Sequence, residues 1–171
     1  EHSVSAALGL VNLSDASGQG ADRLKDASIA VKRAKSNGCG QTAWFTPMIG
    51  HETRERAAML RSLREAFAFD RLFPVYQPQF NLATGRIIGF EALLRWRTED
   101  GRFVPPDTFI PIAESSGLII SLGTWVLRMA LRSVADLRRA GLDDFHMAVN
   151  VSVVQFRHPD FIATVDAALL E

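Results

Sequence analysis

Glu91, Arg95 and Asn150 are the residues of this chain whose types and spacing could do chemistry together. A glutamate carboxylate and an asparagine amide are hard oxygen donors, which suit Mg²⁺ or Mn²⁺ better than zinc. Arg95 follows Glu91 by four residues. If the backbone between them is extended, both side chains share one face, and a metal ligand and a phosphate-binding cation look into the same cavity. Gly89, two residues before the acid, leaves room for a ligand or a backbone to come close. The same residues allow a plainer arrangement, a buried Glu91 paired with Arg95 and an Asn150 that closes a turn. Spacing alone leaves both open.

The elements that must position these groups are legible as patterns. Phe73 to Leu82 alternates as a strand, with Val75, Gln77 and Gln79 on one side and Tyr76, Phe80 and Leu82 on the other. Ala83-Thr84-Gly85 is too short for a crossover, so the strand from Arg86 to Glu91 returns antiparallel. Pro105-Pro106-Asp107 starts a short helix over Thr108 to Glu114, which Ser115-Ser116-Gly117 ends. A longer helix is expected from Leu122 to Ala140, with Trp125, Val126, Met129, Ser133 and Leu137 as its buried stripe and Arg128, Arg132, Arg138 and Arg139 toward water. His146 to Ser152 reads as a strand with Met147, Val149 and Val151 toward the covering helices and His146, Ala148, Asn150 and Ser152 the other way. A last helix runs from Phe161 to Leu170. Strand, helices, strand, helix is the order in which a parallel α/β barrel is built, and such barrels keep reactive groups at the C-terminal ends of their strands.

Composition bounds the partners. The chain has 171 residues, 47% of them hydrophobic, enough to bury a core. Nineteen basic and nineteen acidic residues cancel, so no overall field draws the chain to a nucleic acid polymer. Cys39 is the only cysteine, which excludes an internal disulfide and fits a reducing compartment. No apolar run approaches the ~20 residues of a bilayer span, and no export signal opens the chain. The expected location is cytoplasmic, with any inner-membrane tether supplied by upstream segments.

Residues 1–48 form a smaller unit. Apolar and small residues alternate from His2 to Asn12, placing Val4, Ala6, Leu8 and Leu10 on the inner face of a strand. A polar loop covers Ser14 to Gly20, and a helix follows from Ala21 with Leu24, Ala27, Val31 and Ala34 inward and Arg23, Lys25, Lys32, Arg33 and Lys35 largely outward. Asn37-Gly38 stops it, and Gln41 to Phe45 is a second strand. The unit resembles the C-terminal part of a GGDEF domain, the fold of diguanylate cyclases. Ser5-Ala6-Ala7-Leu8-Gly9-Leu10 is similar to that family's S-x-G-x-A strand, and Asp26 to Gly38 to its closing helix. Ser28, Lys32 and Cys39 depart from the pattern, and Lys35 alone keeps a phosphate-binding position. The GGDEF loop is absent from the chain, so the resemblance implies no cyclase activity here. Residues 49–72 read as a linker helix, with Leu60, Leu63 and Phe67 on one side. Its apolar repeat is too short to sustain heptads, which favours a spacer packed on a neighbour over a dimerising coiled coil.

From residue 73 to 171 the chain resembles the EAL domain, the phosphodiesterase fold that cleaves cyclic di-GMP. The resemblance rests on Tyr76-Gln77-Pro78, on Gly85 through Trp96 with Glu91-Ala92-Leu93 at its centre, on Pro106-Asp107-Thr108-Phe109-Ile110-Pro111-Ile112-Ala113-Glu114, on Trp125-Val126-Leu127, and on Asn150-Val151-Ser152. It implies an α/β fold: an incomplete TIM-like (β/α) barrel with an antiparallel first strand, preceded by the C-terminal fragment of a GGDEF domain. It also implies that Glu91 and Asn150 are metal ligands, that Arg95 meets the phosphate or guanine edge of the dinucleotide, that Leu94 lines a base pocket, and that Gln77 lies near substrate. Two divalent metals, Mg²⁺ or Mn²⁺, would activate a water that opens the ring to linear pGpG. A full barrel takes ~250 residues, and the family's further acids, its Asp-Asp-Phe-Gly-type loop and its catalytic lysine have no counterpart between residues 73 and 171. Asp143-Asp144-Phe145 is followed by His146 and reads as a surface loop. The expectation is therefore an internal piece of a GGDEF-EAL signalling protein, inactive by itself, with an upstream sensory domain and a homodimer through the EAL part or the linker helix as further partners. The competing expectation is a receptor that binds cyclic di-GMP without cleaving it; a purely structural docking or dimerisation piece is a third.

Overall fold

The computed structural model describes residues 4–13 and 20–171, and these fall into two units that divide between Ala58 and Met59. In the first unit β1 (Leu8–Leu10) and β2 (Thr42–Trp44) pair in parallel, with Leu8 opposite Thr42 and Leu10 opposite Trp44. Parallel strands need a crossover, and α1 (Gly20–Ser36) supplies it. The helix lies directly on β1, because a Cβ on Gly9 would stand 2.3 Å from the backbone nitrogen of Val31.

The expected apolar face of the first strand is only partly covered. Val4 is 92% exposed and Ala6 and Leu8 are also exposed, whereas Ala7, Gly9 and Leu10 are half-buried. The residue that lets the helix approach has no side chain, so the alternation of larger apolar groups does not mark it. The same close packing corrects the helix stripe. Leu24 is 72% exposed, Ala30 and Ala34 are fully buried, and Arg23, expected outside, is half-buried. The strand is also shorter than expected; His2 and the polar loop over 14–19 lie outside the described residues.

Helix α2 (Pro47–Ala68) follows. From Met59 onward it belongs to the second unit, where Leu63 and Ala66 are buried and Met59 and Phe67 pack against the core. The second unit continues with β3 (Leu72–Phe80), β4 (Ile87–Arg97), β5 (Phe103–Val104), α3 (Pro106–Ser116), α4 (Leu118–Arg139), β6 (His146–Val149), α5 (Val153–Phe156) and α6 (Phe161–Leu170). β4 is the central strand. It pairs antiparallel with β3 along nearly its whole length, antiparallel with β5 at its end, and parallel with β6.

Side chains alternate across β4. Ala92 and Trp96 point to the helices, where Trp96 meets Phe109 edge-on with ring centres 5.6 Å apart. Leu63, Leu72, Phe109, Ile119 and Leu122 complete this core. Tyr76, opposite Ala92 on β3, reaches α4 through a 2.7 Å hydrogen bond between its hydroxyl and that of Ser133.

Several boundaries differ from the sequence expectation for identifiable reasons. β4 continues past Glu91 to Arg97, because pairing with β3 holds it extended. Leu82 is fully exposed in the turn, where Asn81 Oδ1 accepts hydrogen bonds from the backbone of Ala83 and Thr84. Gly117, at a φ of 76°, ends α3 and starts α4 in one residue, so α4 begins at Leu118 and not Leu122. Its buried stripe is Ile119, Leu122, Val126 and Ala130; Trp125, Met129, Ser133 and Leu137 are half-buried along the border. By length and composition α4 is apolar enough to cross a bilayer, although its charged residues interrupt any continuous apolar run. Its buried stripe and the bond to Tyr76 make it the helix that covers this sheet. The strand expected to Ser152 ends at Val149, which leaves Val151 exposed and Asn150 just beyond the ladder.

Candidate functional site

The face of the sheet turned away from the core helices carries the polar residues. On it Gln77 stands opposite Glu91, Gln79 opposite Gly89, Val75 opposite Leu93 and Phe73 opposite Arg95. From the parallel neighbour, His146 lies beside Gly89 and Ala148 beside Glu91. Asn150 continues the same parity past the end of β6. Its Nδ2 donates to Oε1 of Glu91 at 2.7 Å, across 59 residues of sequence.

This contact gives the Glu91 carboxylate a partner other than Arg95. Among the described residues no ion pair joins Glu91 to Arg95. Arg95 Nη1 donates instead to the backbone carbonyl of Leu94 at 3.0 Å. The space beside Gly89, expected for a ligand or a backbone, is filled by the ring of His146, which a Cβ there would meet at 2.6 Å. His146 Nε2 lies 2.7 Å from Gln79 Oε1.

A cavity of about 280 Å³ opens between the end of β4, helices α3 and α4, and the turn after β6. Leu94, Arg95, Glu114, Asn150, Ser152 and Gln155 are among its lining residues. Of the sequence-nominated residues, Asn150, Arg95 and Leu94 meet at this cavity. Glu91 joins them through its bond to Asn150. Gln77 is exposed and reaches the group only as the cross-strand neighbour of Glu91.

Sequence reasoning missed the residues that build the cavity wall. Ser152 Oγ donates to Glu114 Oε1 at 2.6 Å and accepts from the backbone nitrogen of Val154 at 3.2 Å. The backbone nitrogen of Ser152 donates to Gln155 Oε1 at 3.2 Å, which completes a capping box at the start of α5. Gln155 is a buried polar side chain, 8% exposed, pressed on Gly123 so closely that a Cβ there would overlap its amide. The pattern Ser-x-x-Gln was in the sequence as a helix-start signal. Nothing local pointed to Glu114 as its partner.

Glu91 and Asn150 fit a hard divalent cation as part of its ligand set. They converge and both carry oxygen donors, and Mg²⁺ completes its octahedron readily with water and phosphate oxygens. Among the described residues no cluster of three or more His, Cys, Asp or Glu stands ready to hold a metal by itself.

Residues 60–171 match the EAL domain family. The chain belongs to that family. A bifunctional diguanylate cyclase/cyclic di-GMP phosphodiesterase of Pseudomonas aeruginosa, MucR, is 34% identical over 168 residues, covering 98% of this chain and 24% of that protein. The cyclic di-GMP phosphodiesterase PdeR of Escherichia coli is 34% identical over 148 residues, covering 86% of this chain and 22% of its own length. The chain thus spans about a quarter or less of these relatives. Among solved structures, the phosphodiesterase of MucR in complex with c-di-GMP superimposes with a TM-score of 0.64 at 39% identity, over 66% of this chain and 46% of that one. The EAL domain of FimX from Xanthomonas citri, also in complex with c-di-GMP, does so with a TM-score of 0.58 at 29% identity, over 70% of this chain and 46% of that one. The second unit is therefore an EAL domain homologous to cyclic di-GMP phosphodiesterases, with the TIM-like barrel of its neighbours present only in part. EAL phosphodiesterases are generally divalent-metal dependent.

Proposed function

We propose that this EAL domain takes part in the divalent-metal-assisted hydrolysis of cyclic di-GMP to linear pGpG. The observation that carries the reading is the 2.7 Å contact between Glu91 and Asn150, which brings two oxygen-donor side chains together beside a cavity that Arg95 also lines. Glu91 and Asn150 would hold the cation, Mg²⁺ or Mn²⁺. When bound, it would polarise the scissile phosphate and lower the pKa of an attacking water. Arg95 would meet the phosphate or the guanine edge of the dinucleotide as a planar multi-donor cation. Leu94 would give the base an apolar wall, and Gln77, beside Glu91 in the register, would approach the substrate from β3.

Around this site we read a GGDEF-EAL signalling protein. Residues 1–48 are the end of a degenerate GGDEF domain, 49–72 a linker helix whose part from Met59 packs into the EAL unit, and 73–171 the first part of the EAL barrel. The parallel β1–α1–β2 unit is compatible with the GGDEF assignment. An upstream sensory domain, a homodimer through the EAL part or the linker, and a cytoplasmic location with or without an inner-membrane tether complete the reading.

The test is turnover by the natural full-length protein with Mg²⁺ or Mn²⁺, followed by product analysis for pGpG. The Glu91→Ala variant is expected to lose more than ~100-fold in rate, since even partners behind a metal ligand are worth ~10–100-fold. Native turnover by that variant would remove Glu91 from the metal site. The MucR and FimX neighbours are complexes with c-di-GMP, so calorimetry belongs beside the assay. Tight binding of cyclic di-GMP without pGpG would make the protein a receptor.

A further inference from the structure

We infer that Glu114 is a positioning residue for the metal-binding asparagine, acting through Ser152. Asn150 lies past the last β6 residue, Val149, and the residues from 150 to 152 belong to no helix or strand. Strand pairing therefore does not hold the amide at Glu91. What fixes this turn is Ser152, two residues on, through three bonds to two elements of the wall, α3 and α5. Its hydroxyl donates to the Glu114 carboxylate at 2.6 Å and accepts from the Val154 backbone at 3.2 Å, and its backbone nitrogen donates to Gln155 at 3.2 Å. Gln155 is itself buried against Gly123 of α4. The turn is thus pinned to α3 by Glu114 and to α4 by Gln155.

The two pins are not equal. A hydroxyl bonded to a carboxylate is short and roughly twice as strong as a neutral pair, and the Ser152–Glu114 bond is the shortest of the three. Glu114 is half-buried at the end of α3, where the backbone nitrogen of Gly117 also closes on its carbonyl. Its side chain is thereby held on a rigid element before any ligand arrives. Groups that orient a ligand from behind are worth ~10–100-fold in metal affinity. A displacement of ~1 Å at a reacting site can cost ~100-fold in rate.

The inference deepens the hydrolase reading and rests on it for its kinetic arm alone. The spectroscopic arm uses the full-length protein without metal and follows the side-chain amide of Asn150 by NMR, assigned by its loss in Asn150→Ala. In the native protein these protons are expected to exchange slowly and to sit away from free-amide positions, because one of them is bonded to Glu91. Glu114→Ala and Ser152→Ala are expected to move them to free-amide positions and fast exchange. Glu114→Gln, which can still accept from the Ser152 hydroxyl, is expected to stay near the native signal. An unchanged Asn150 amide in folded Glu114→Ala overturns the proposal. If that variant does not fold, an unchanged amide in Ser152→Ala overturns it equally.

In the kinetic arm, Glu114→Ala should raise the half-activating Mg²⁺ concentration about tenfold with the KM for cyclic di-GMP within about twofold of native. The double variant with Ser152→Ala should be no worse than either single one, because both remove the same link. A raised KM with unchanged Mg²⁺ activation would make Glu114 a substrate contact and refute the positioning role. If the native protein turns over nothing while the amide still responds to Glu114→Ala, the positioning inference stands and the hydrolase reading falls.

Discussion

The two faces of β4 are built from alternate residues and do different work. Toward the helices stand Ala92 and Trp96, both almost wholly buried in a core closed by Phe109, Leu63 and Leu122. On the opposite face stand Gly89, Glu91, Leu93 and Arg95, where polar side chains meet one another across strands: Gln79 with His146, Glu91 with Asn150. A single residue step along the strand moves from a position whose loss should unfold the domain to one whose loss should silence it. Parity divides stability from chemistry for Trp96 and Glu91, whereas Leu94, on the helix-face parity, both packs on the core and lines the cavity with Arg95.

The largest effect expected from that separation is on the helix face. Trp96 is 2% exposed and packs edge-on against Phe109. Trp96→Ala leaves a cavity that neighbouring helices cannot fill, at a cost of about 3–5 kcal/mol by denaturant unfolding. A loss below about 1 kcal/mol would mean that the core does not hold β4 as described. Glu91→Ala is the mirror case. Its loss of more than ~100-fold in turnover is equivalent to about 2.7 kcal/mol of transition-state stabilisation. Its unfolding midpoint should stay close to native, because Glu91 is half-buried and its partner Asn150 is exposed. A large drop in that midpoint would show that the polar face also carries the fold.

The helix face was the more legible of the two in the sequence, and the reason is physical. Burial leaves a periodic trace, so α6 is read at its observed bounds and β3, β4, α3 and α4 with boundaries a few residues off. Errors came where a glycine replaced a side chain in the pattern. Gly9 brings α1 onto β1 without a side chain to mark the contact, and Gly117 hides the first turn of α4 by serving two helices at once. The polar face leaves no such trace. Glu91 and Asn150 are 59 residues apart, and in the sequence only the resemblance of the motif order to the EAL family links them, whereas in the fold the register of β4 and β6 does. Glu114 and Ser152, 38 residues apart, both lie within the family-like motifs, yet no spacing rule links the end of one helix to the cap of another.

Gly123 tests whether the two faces are as independent as parity makes them. It sits on α4, among the helices of the core side, but it receives the Gln155 amide that pins the turn below Asn150. Gly123→Ala forces the buried amide to move, and overpacking of this kind costs about 1–3 kcal/mol. If the faces are coupled through this contact, Mg²⁺ activation should weaken along with stability. A purely thermodynamic loss, with metal activation native, would confine the coupling to Glu114.

The smallest effect belongs to Tyr76. Its ring lies on the helix face of β3 opposite Ala92, and its hydroxyl meets Ser133 of α4 at 2.7 Å. Tyr76→Phe keeps the ring and removes one hydrogen bond, a net contribution of about 0.5–1.5 kcal/mol. The lower end is expected, because Ser133 is only half-buried and can turn its hydroxyl to water or to the helix backbone. Turnover and Mg²⁺ activation should be native, since Gln77, the next residue, points to the other face and keeps its place opposite Glu91. A Mg²⁺ effect of Tyr76→Phe without any loss of stability would invert the assignment, for it would make the helix face of β3 part of the site and leave parity unable to tell structure from chemistry.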